Sequence, residues 1–281
     1  MIIGSNTVAS TYEPPAGPVW PDDPVALLGA KLLWLFDYNE ATVVDGLVTS
    51  ILDAKGGVLT LVDTTVARQP AAVSESINGV TQQFGRSTLA THGLCVSTAA
   101  SGAPLIDTGA DLYVVHREGS PITLGGGGTT NVNGTIVSSM TFSAGNVPSF
   151  GFHTVSSQSQ RIVRIAKPTA TAGIRGSMTT GFAYVANEWC CTRIRITTGM
   201  MQLYRNGVFL VDGSIAASTA VTPSNGLGFG YNGGPRSGGA GTASAPLDFA
   251  YTFLTTPNLT TQELRDVSTY VSERFGVASY V

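Results

Sequence analysis

Along most of the chain, apolar positions come in short runs or in alternation with polar ones, and glycine, asparagine or proline breaks the pattern every few residues. Met200–Asp212 is the clearest case. Apolar and polar residues alternate up to Asn206-Gly207, and a second run, Val208-Phe209-Leu210-Val211, leads away. A two-residue type I′ turn needs positive φ at both positions, which Asn and Gly adopt at least cost, so the segment predicts a β-hairpin. Upstream, Trp189–Ile196 predicts a strand with Arg193 and Arg195 on one face and Ile194 and Ile196 on the other. Further strands are expected at 32–36, 47–52, 58–62, 81–84, 110–117, 134–140, 149–154, 160–166, 181–186, 227–231 and 247–254. Asn78-Gly79 makes a second hairpin turn. Many short strands separated by turn signals predict an all-β fold, two antiparallel sheets packed as a sandwich.

One helix interrupts this pattern. Thr260 with Glu263 three residues on is a capping box, and Leu259 and Leu264 stand at the staple positions. Leu264, Val267, Tyr270, Val271 and Phe275 recur at three- and four-residue steps as a single apolar stripe, and Gly276 supplies the stop. A helix over Thr261–Phe275 lying against the sandwich is expected.

Residues 1–25 form a separate unit. Pro14, Pro15, Pro18, Pro21 and Pro24 favour extended backbone, with Tyr12, Val19 and Trp20 as its apolar points. An arm that docks on a neighbouring subunit through Tyr12, Val19 and Trp20 is expected. The remaining residues, 26–281, form one domain.

Composition sharpens this picture. The apolar fraction, 43%, suffices for a core, but only 12% of residues are charged, where soluble domains average about 25%. Ser and Thr fill the gap at roughly one residue in five. Such a surface suits a protein packed against copies of itself or against partners. With a net charge of −3 and no basic stripe, nucleic-acid binding is not expected. No apolar run is long enough for a membrane-spanning helix, and MIIGSNTVASTYEPP lacks the basic and apolar regions of a secretory signal. Cys95, Cys190 and Cys191 are odd in number, and the adjacent pair points to opposite faces of a strand. Reduced, buried thiols and folding in a cytoplasm are expected.

Several segments together resemble a known family. They are Trp34–Asp37, Asp45–Val48, Asp53–Gly56, Arg68–Pro70 with Ile77–Gly79, Phe84-Gly85, the Leu203–Val208 hairpin and the closing Leu259–Gly276. In order and spacing they resemble the concanavalin A-like lectin/glucanase (laminin-G-like) jelly rolls, in the form common among bacterial and bacteriophage proteins. The resemblance covers about residues 30–277. It implies a jelly-roll sandwich with an extended N-terminal arm and a C-terminal helix, and it is poorly specific for function.

Candidate chemistry is sparse. Glycanases of that superfamily place acidic residues two apart on one strand, since retaining chemistry needs two carboxylates about 5 Å apart. None of the glutamates here has an acid two residues away, so no catalytic residue is assigned. Gly228–Gly233 matches G-x-G-x-x-G but is followed by a loop instead of a helix, and Gly125–Gly128 lacks the Lys-Ser/Thr of a phosphate loop. No cofactor is expected. His92, His116 and His153 lack metal-ligand spacing, and His116 is expected on the polar face of its strand. Asp107 and Asp111 are read as turn and cap residues in preference to calcium ligands. The best candidate for carbohydrate binding is Tyr231, Asn232 and Arg236, an aromatic beside hydrogen-bonding groups.

The expected function is that of a non-enzymatic bacteriophage virion structural protein, tail-associated or a capsid decoration. Its partners would be other virion proteins, copies of itself and a cell-surface glycan, and it would be made in the host cytoplasm. A carbohydrate-binding module is the alternative, and a glycanase the more distant one.

Overall fold

The computed structural model describes residues 23–56, 60–62, 65–89, 92–96, 109–119, 133–138, 150–155, 160–166, 174–181, 187–197, 199–214, 228–229 and 243–277. The expected arm contacts Tyr12, Val19 and Trp20 and the expected glycan contacts Tyr231, Asn232 and Arg236 lie outside the described residues.

A short helix, α1 (Pro24–Leu28), opens this structure. Asp23 caps it by accepting from the Val25 amide, and Pro24 sits at the first helical position, where its missing N–H is no loss. A helical turn therefore already begins at Pro24, within the stretch 1–25 expected to be extended. The first strands are β1 (Leu32–Asp37), β2 (Thr42–Val44), β3 (Leu47–Leu52), β4 (Thr60–Val62), β5 (Ala71–Ile77), β6 (Val80–Leu89), β7 (Leu94–Val96) and β8 (Ala110–Glu118). Next come β9 (Asn133–Ser138), β10 (Phe150–Val155), β11 (Gln160–Ala166), β12 (Ile174–Gly181) and β13 (Trp189–Thr197). The last are β14 (Met200–Arg205), β15 (Val208–Ser214), β16 (Gly228–Phe229) and β17 (Ala243–Thr255), followed by α2 (Thr261–Phe275).

All described pairings are antiparallel, and they trace two layers. In the first, β17 pairs with β8 along one edge and with β6 and then β1 along the other; β8 continues to β13, β14 and β15, and β6 to β5. In the second the order is β2, β3, β4, β7, β16, β9, β10, β11, β12. The single pair Leu47 with Ala71 joins the layers. Trp34, Phe36, Leu112, Val114, Ile194, Met201 and Leu203 of the first layer meet Val48, Ile51, Leu94 and Phe229 of the second in one buried core. The expected all-β sandwich with one substantial C-terminal helix is the observed architecture.

A second core lies on the opposite face of the first layer. There Val267, Tyr270, Val271 and Phe275 of α2 bury against Leu35, Tyr113, Val115, Tyr251 and Phe253. The Tyr251 ring stands 5.8 Å from that of Tyr270 and 5.5 Å from that of Phe275. Both ends of α2 are closed as expected: the capping box is complete and Gly276 takes φ 66° at the stop. Leu264, by contrast, is only half-buried. Arg274 ties the last turn to β1 through a 2.5 Å contact with Asp37.

The Asn-Gly turns expected at Asn78-Gly79 and Asn206-Gly207 occur, with φ of 50° and 80° and of 46° and 69°; one expected at Asn225-Gly226 lies outside the described residues. Asp45-Gly46 makes a third such turn, between β2 and β3. Strands β2, β5, β7 and β12 are not among those expected. β5 is exposed along Ser74-Glu75-Ser76, so its polar composition hides it. β12 ends at Gly181, where a strand was expected to begin, and residues 182–186 lie outside the described residues.

Phe275→Ala should lower stability by about 3–5 kcal/mol and Thr260→Ala by about 1 kcal/mol, whereas Leu264→Ala should cost less than Phe275→Ala; denaturant melts of the three variants check this order. A hydrogen-bonded Lys31 ammonium, 2.7 Å away, holds the Glu263 carboxyl below its usual range. A carboxyl depressed in the folded state contributes stability that is present above its unfolded pKa and lost as pH falls through the folded value. The melting temperature should therefore drop on acidification through and below the ordinary carboxylate range, and by less in Glu263→Gln.

Candidate functional site

The outer face of the first layer, beside α2, carries a row of side chains set by strand register. Phe253 on β17 stands opposite Tyr113 on β8, Tyr113 opposite Arg193 on β13, Arg193 opposite Tyr204 on β14, and Tyr204 opposite Phe209 on β15. A neighbouring row runs Thr255, Asp111, Arg195, Gln202, Asp212. Side chains two apart on a strand share a face, and on β15 a bulge keeps Phe209 and Asp212, three apart, opposite Tyr204 and Gln202, so the two rows form one surface.

That surface is buried at one end and open at the other. Tyr113 stacks on Phe253 with ring centroids 4.4 Å apart and planes 6° from parallel. The Arg193 guanidinium lies 5.6 Å from the Tyr113 centroid and 4.9 Å from that of Tyr204, bridging the two rings. Its Nη2 donates to Asp111 Oδ2 at 2.6 Å. Asp111 has no exposed surface, and burial pushes its carboxyl above the usual carboxylate range against the pull of Arg193. Toward solvent, Tyr204 meets Phe209 edge-on at 5.5 Å, and its hydroxyl donates to Gln202 Oε1 at 3.2 Å. Phe209 is 48% exposed and Asp212 is exposed. Arg195 is tied back through Pro257 O at 3.0 Å. The result is a half-exposed aromatic platform, flanked by an amide and a carboxylate and abutted at its buried end by an ion pair.

The other buried carboxylates near this face are committed to arginine. Asp248 is shared by Arg86, at 2.7 Å, and Arg117, at 2.8 Å. Arg117 in turn lies over the rings of Phe84 and Trp189 and reaches Glu75. A carboxylate fixed in this way is poorly placed to serve as nucleophile or acid in glycosidic chemistry.

Two sequence expectations are corrected here. His116 is not on a polar face: it shares the sandwich-facing side of β8 with Leu112 and Val114, is buried, and lies 2.9 Å from Thr192 Oγ1. With both faces of β8 covered, no wet side exists for it. Asp111 is neither cap nor turn but the second residue of β8, paired with Arg193, and Asp107 lies outside the described residues. Cys190 and Cys191 are buried thiols, as expected, and Cys190 Sγ lies 3.5 Å from His116 Nε2. The expected Arg193–Arg195 face is present, but its burial and its rings were missed. The Asn206-Gly207 turn already sets Tyr204 opposite Phe209. Only the partner of the other edge of β13 is hidden in the sequence.

No family model matches the chain, and no curated protein matches it in sequence. Solved structures do resemble it in fold. The receptor binding domain of botulinum neurotoxin D is 11% identical with a TM-score of 0.56, over 84% of this chain and 52% of that one. The binding domain of Paraclostridial Mosquitocidal Protein 1 is 10% identical with a TM-score of 0.54, over 86% and 52%. Trypanosoma rangeli sialidase, solved with 2,3-difluorosialic acid, is 12% identical with a TM-score of 0.55, over 87% and 33%. At such identities the likeness establishes the β-sandwich fold alone. The chain spans about half the length of the toxin binding domains and a third of the sialidase.

Arg193→Ala should destabilise the fold by about 3–5 kcal/mol, because it removes the hydrogen-bonded partner of the buried Asp111 carboxylate and leaves only Arg195, 3.9 Å away. Thermal or chemical melts would check this, and Asp111→Asn in the same background should recover part of the loss.

Proposed function

We propose that this chain is a non-enzymatic attachment module that recognises a glycan through the open end of the outer face. The carrying observation is the Tyr204–Phe209 platform, half-exposed and edged by Gln202 and Asp212. Sugar rings present apolar C–H faces and hydroxyl edges. An aromatic surface accepts the first, and amide and carboxylate groups bond the second. Rigid support alongside lowers the ordering cost of binding, and the stack of Phe253, Tyr113 and Arg193 provides it. The fold shared with toxin binding domains is compatible with this reading.

The setting we propose is a bacteriophage virion, assembled in the host cytoplasm, with the module on the tail or decorating the capsid. Low charge, 12% of residues, and five prolines in the first 25 positions favour a protein held by apolar contacts of its arm to neighbouring subunits.

The first test is a glycan array probed with the full chain. Binding to a defined glycan is expected, weakened at least several-fold by Tyr204→Ala and by Phe209→Ala, with the Phe209 variant melting close to the parent. Failure to bind any glycan, or binding untouched by both changes, defeats the platform reading. The second is deletion of residues 2–22, which spares Asp23 and α1. A folded domain that no longer joins the particle is expected; incorporation at full occupancy refutes anchoring by the arm.

A further inference from the structure

The β5–β6 turn touches the end of α2. Asn78 Nδ2 donates to the Glu273 carbonyl at 2.7 Å and, at 3.5 Å, reaches that of Ser272. The last carbonyls of a helix have no partner within it, so Asn78 acts as a C-terminal cap supplied from another element. The Asn206-Gly207 turn has similar backbone angles but uses its amide the other way: Asn206 Oδ1 accepts from the Cys191 amide at 2.9 Å. One asparagine contributes its NH2 group, the other its carbonyl.

An Asn-Gly pair carries a hydrolysis of its own. The nitrogen of the glycine, with no Cβ beside it as a shield, attacks the asparagine Cγ. A ring C–N bond forms, the Cγ–Nδ2 bond breaks and ammonia leaves with the displaced proton. Water then opens the cyclic imide at either carbonyl, giving aspartate or isoaspartate. One water is consumed and one ammonia released, with no change of oxidation state. Asn78 and Gly79 are both exposed, and the closing ladder pair is Ile77 with Val80, which leaves the Gly79 nitrogen outside the ladder. Asn206 is half-buried, and both its side chain and its backbone amide are held by Cys191.

We infer that Asn78 is a site of spontaneous deamidation, with water as the reactant, and that its conversion releases the end of α2 from the β5–β6 turn. The product carboxylate has no N–H to give to Glu273, and it sets a negative charge at the negative end of the helix dipole. The basic residue of that turn, Arg274, is already engaged by Asp37. At Asn206 conversion to aspartate would keep an acceptor for the Cys191 amide and leave the turn in place.

The full chain, aged at neutral to mildly alkaline pH, is followed by peptide mapping and ion exchange. A gain of one mass unit is expected at Asn78 at least several-fold faster than at Asn206. The separated converted fraction should melt lower than the parent and be cut sooner by protease within α2. Asn78→Asp should reproduce the lower melt, and Asn206→Asp should melt as the parent. Conversion at Asn206 as fast as at Asn78, or a converted fraction with the parent's melt and protease resistance, overturns the inference. Should Asn78→Asp fail to fold, the converted wild-type fraction still gives the decision.

Discussion

β8, and β17 over residues 247–255, have no wet face, and the rest of the structure depends on that constraint. β8 and β17 are covered by the second sheet on one side and, on the other, by α2 and a layer of rings and arginines. Along β8 every residue from Ala110 to Glu118 is buried. A strand in that position must either be apolar throughout or bring a partner for each polar group, since a buried group left unpaired costs as much as a lost bond. The chain does most of this. Leu112, Val114 and Val115 are apolar at the centre, and Asp111 and Arg117 toward the ends are matched by Arg193 and Asp248, whereas the Tyr113 hydroxyl is buried without a hydrogen-bond partner.

This arrangement explains how a chain with so little charge places so much of it inside. Asp37, Asp111 and Asp248 are buried, as are Arg117 and Arg193. Buried pairs of this kind stabilise little in net terms but penalise any register that separates them. Because a slip of one residue moves every side chain of a strand to the other face, the ion pairs and the stacked rings hold β17, β8 and β13 in one alignment. The platform of Tyr204 and Phe209 inherits its position from that alignment.

Much of the architecture is legible in the sequence because it rests on local chemistry. Asn206-Gly207, the Thr260–Glu263 box and Gly276 act within a few residues, and each occurs where its chemistry places it. The Tyr204–Phe209 pair follows from the same hairpin. What is hidden depends on partners distant in the chain. His116 looks like a polar-face residue because nothing nearby shows that β8 is covered twice, and Asp111 looks like a turn residue because its arginine lies on another strand. Arg193 and Arg195 resemble a solvated face for the same reason, although Arg193 lies between two rings.

The divided edge of β17 bears on how the domain is made. One stretch of that edge holds β6 and the next holds β1, with Leu35 paired to Phe253 and Asp37 to Tyr251. On a ribosome, β1 emerges early and must wait for nearly the whole domain before its neighbour exists. Until then Trp34, Leu35 and Phe36 have no sheet to join. A topology of this kind folds slowly and exposes unpaired strands on the way. The nascent chain is therefore most vulnerable to aggregation through its first strand, and that interval closes only when its last strand is released.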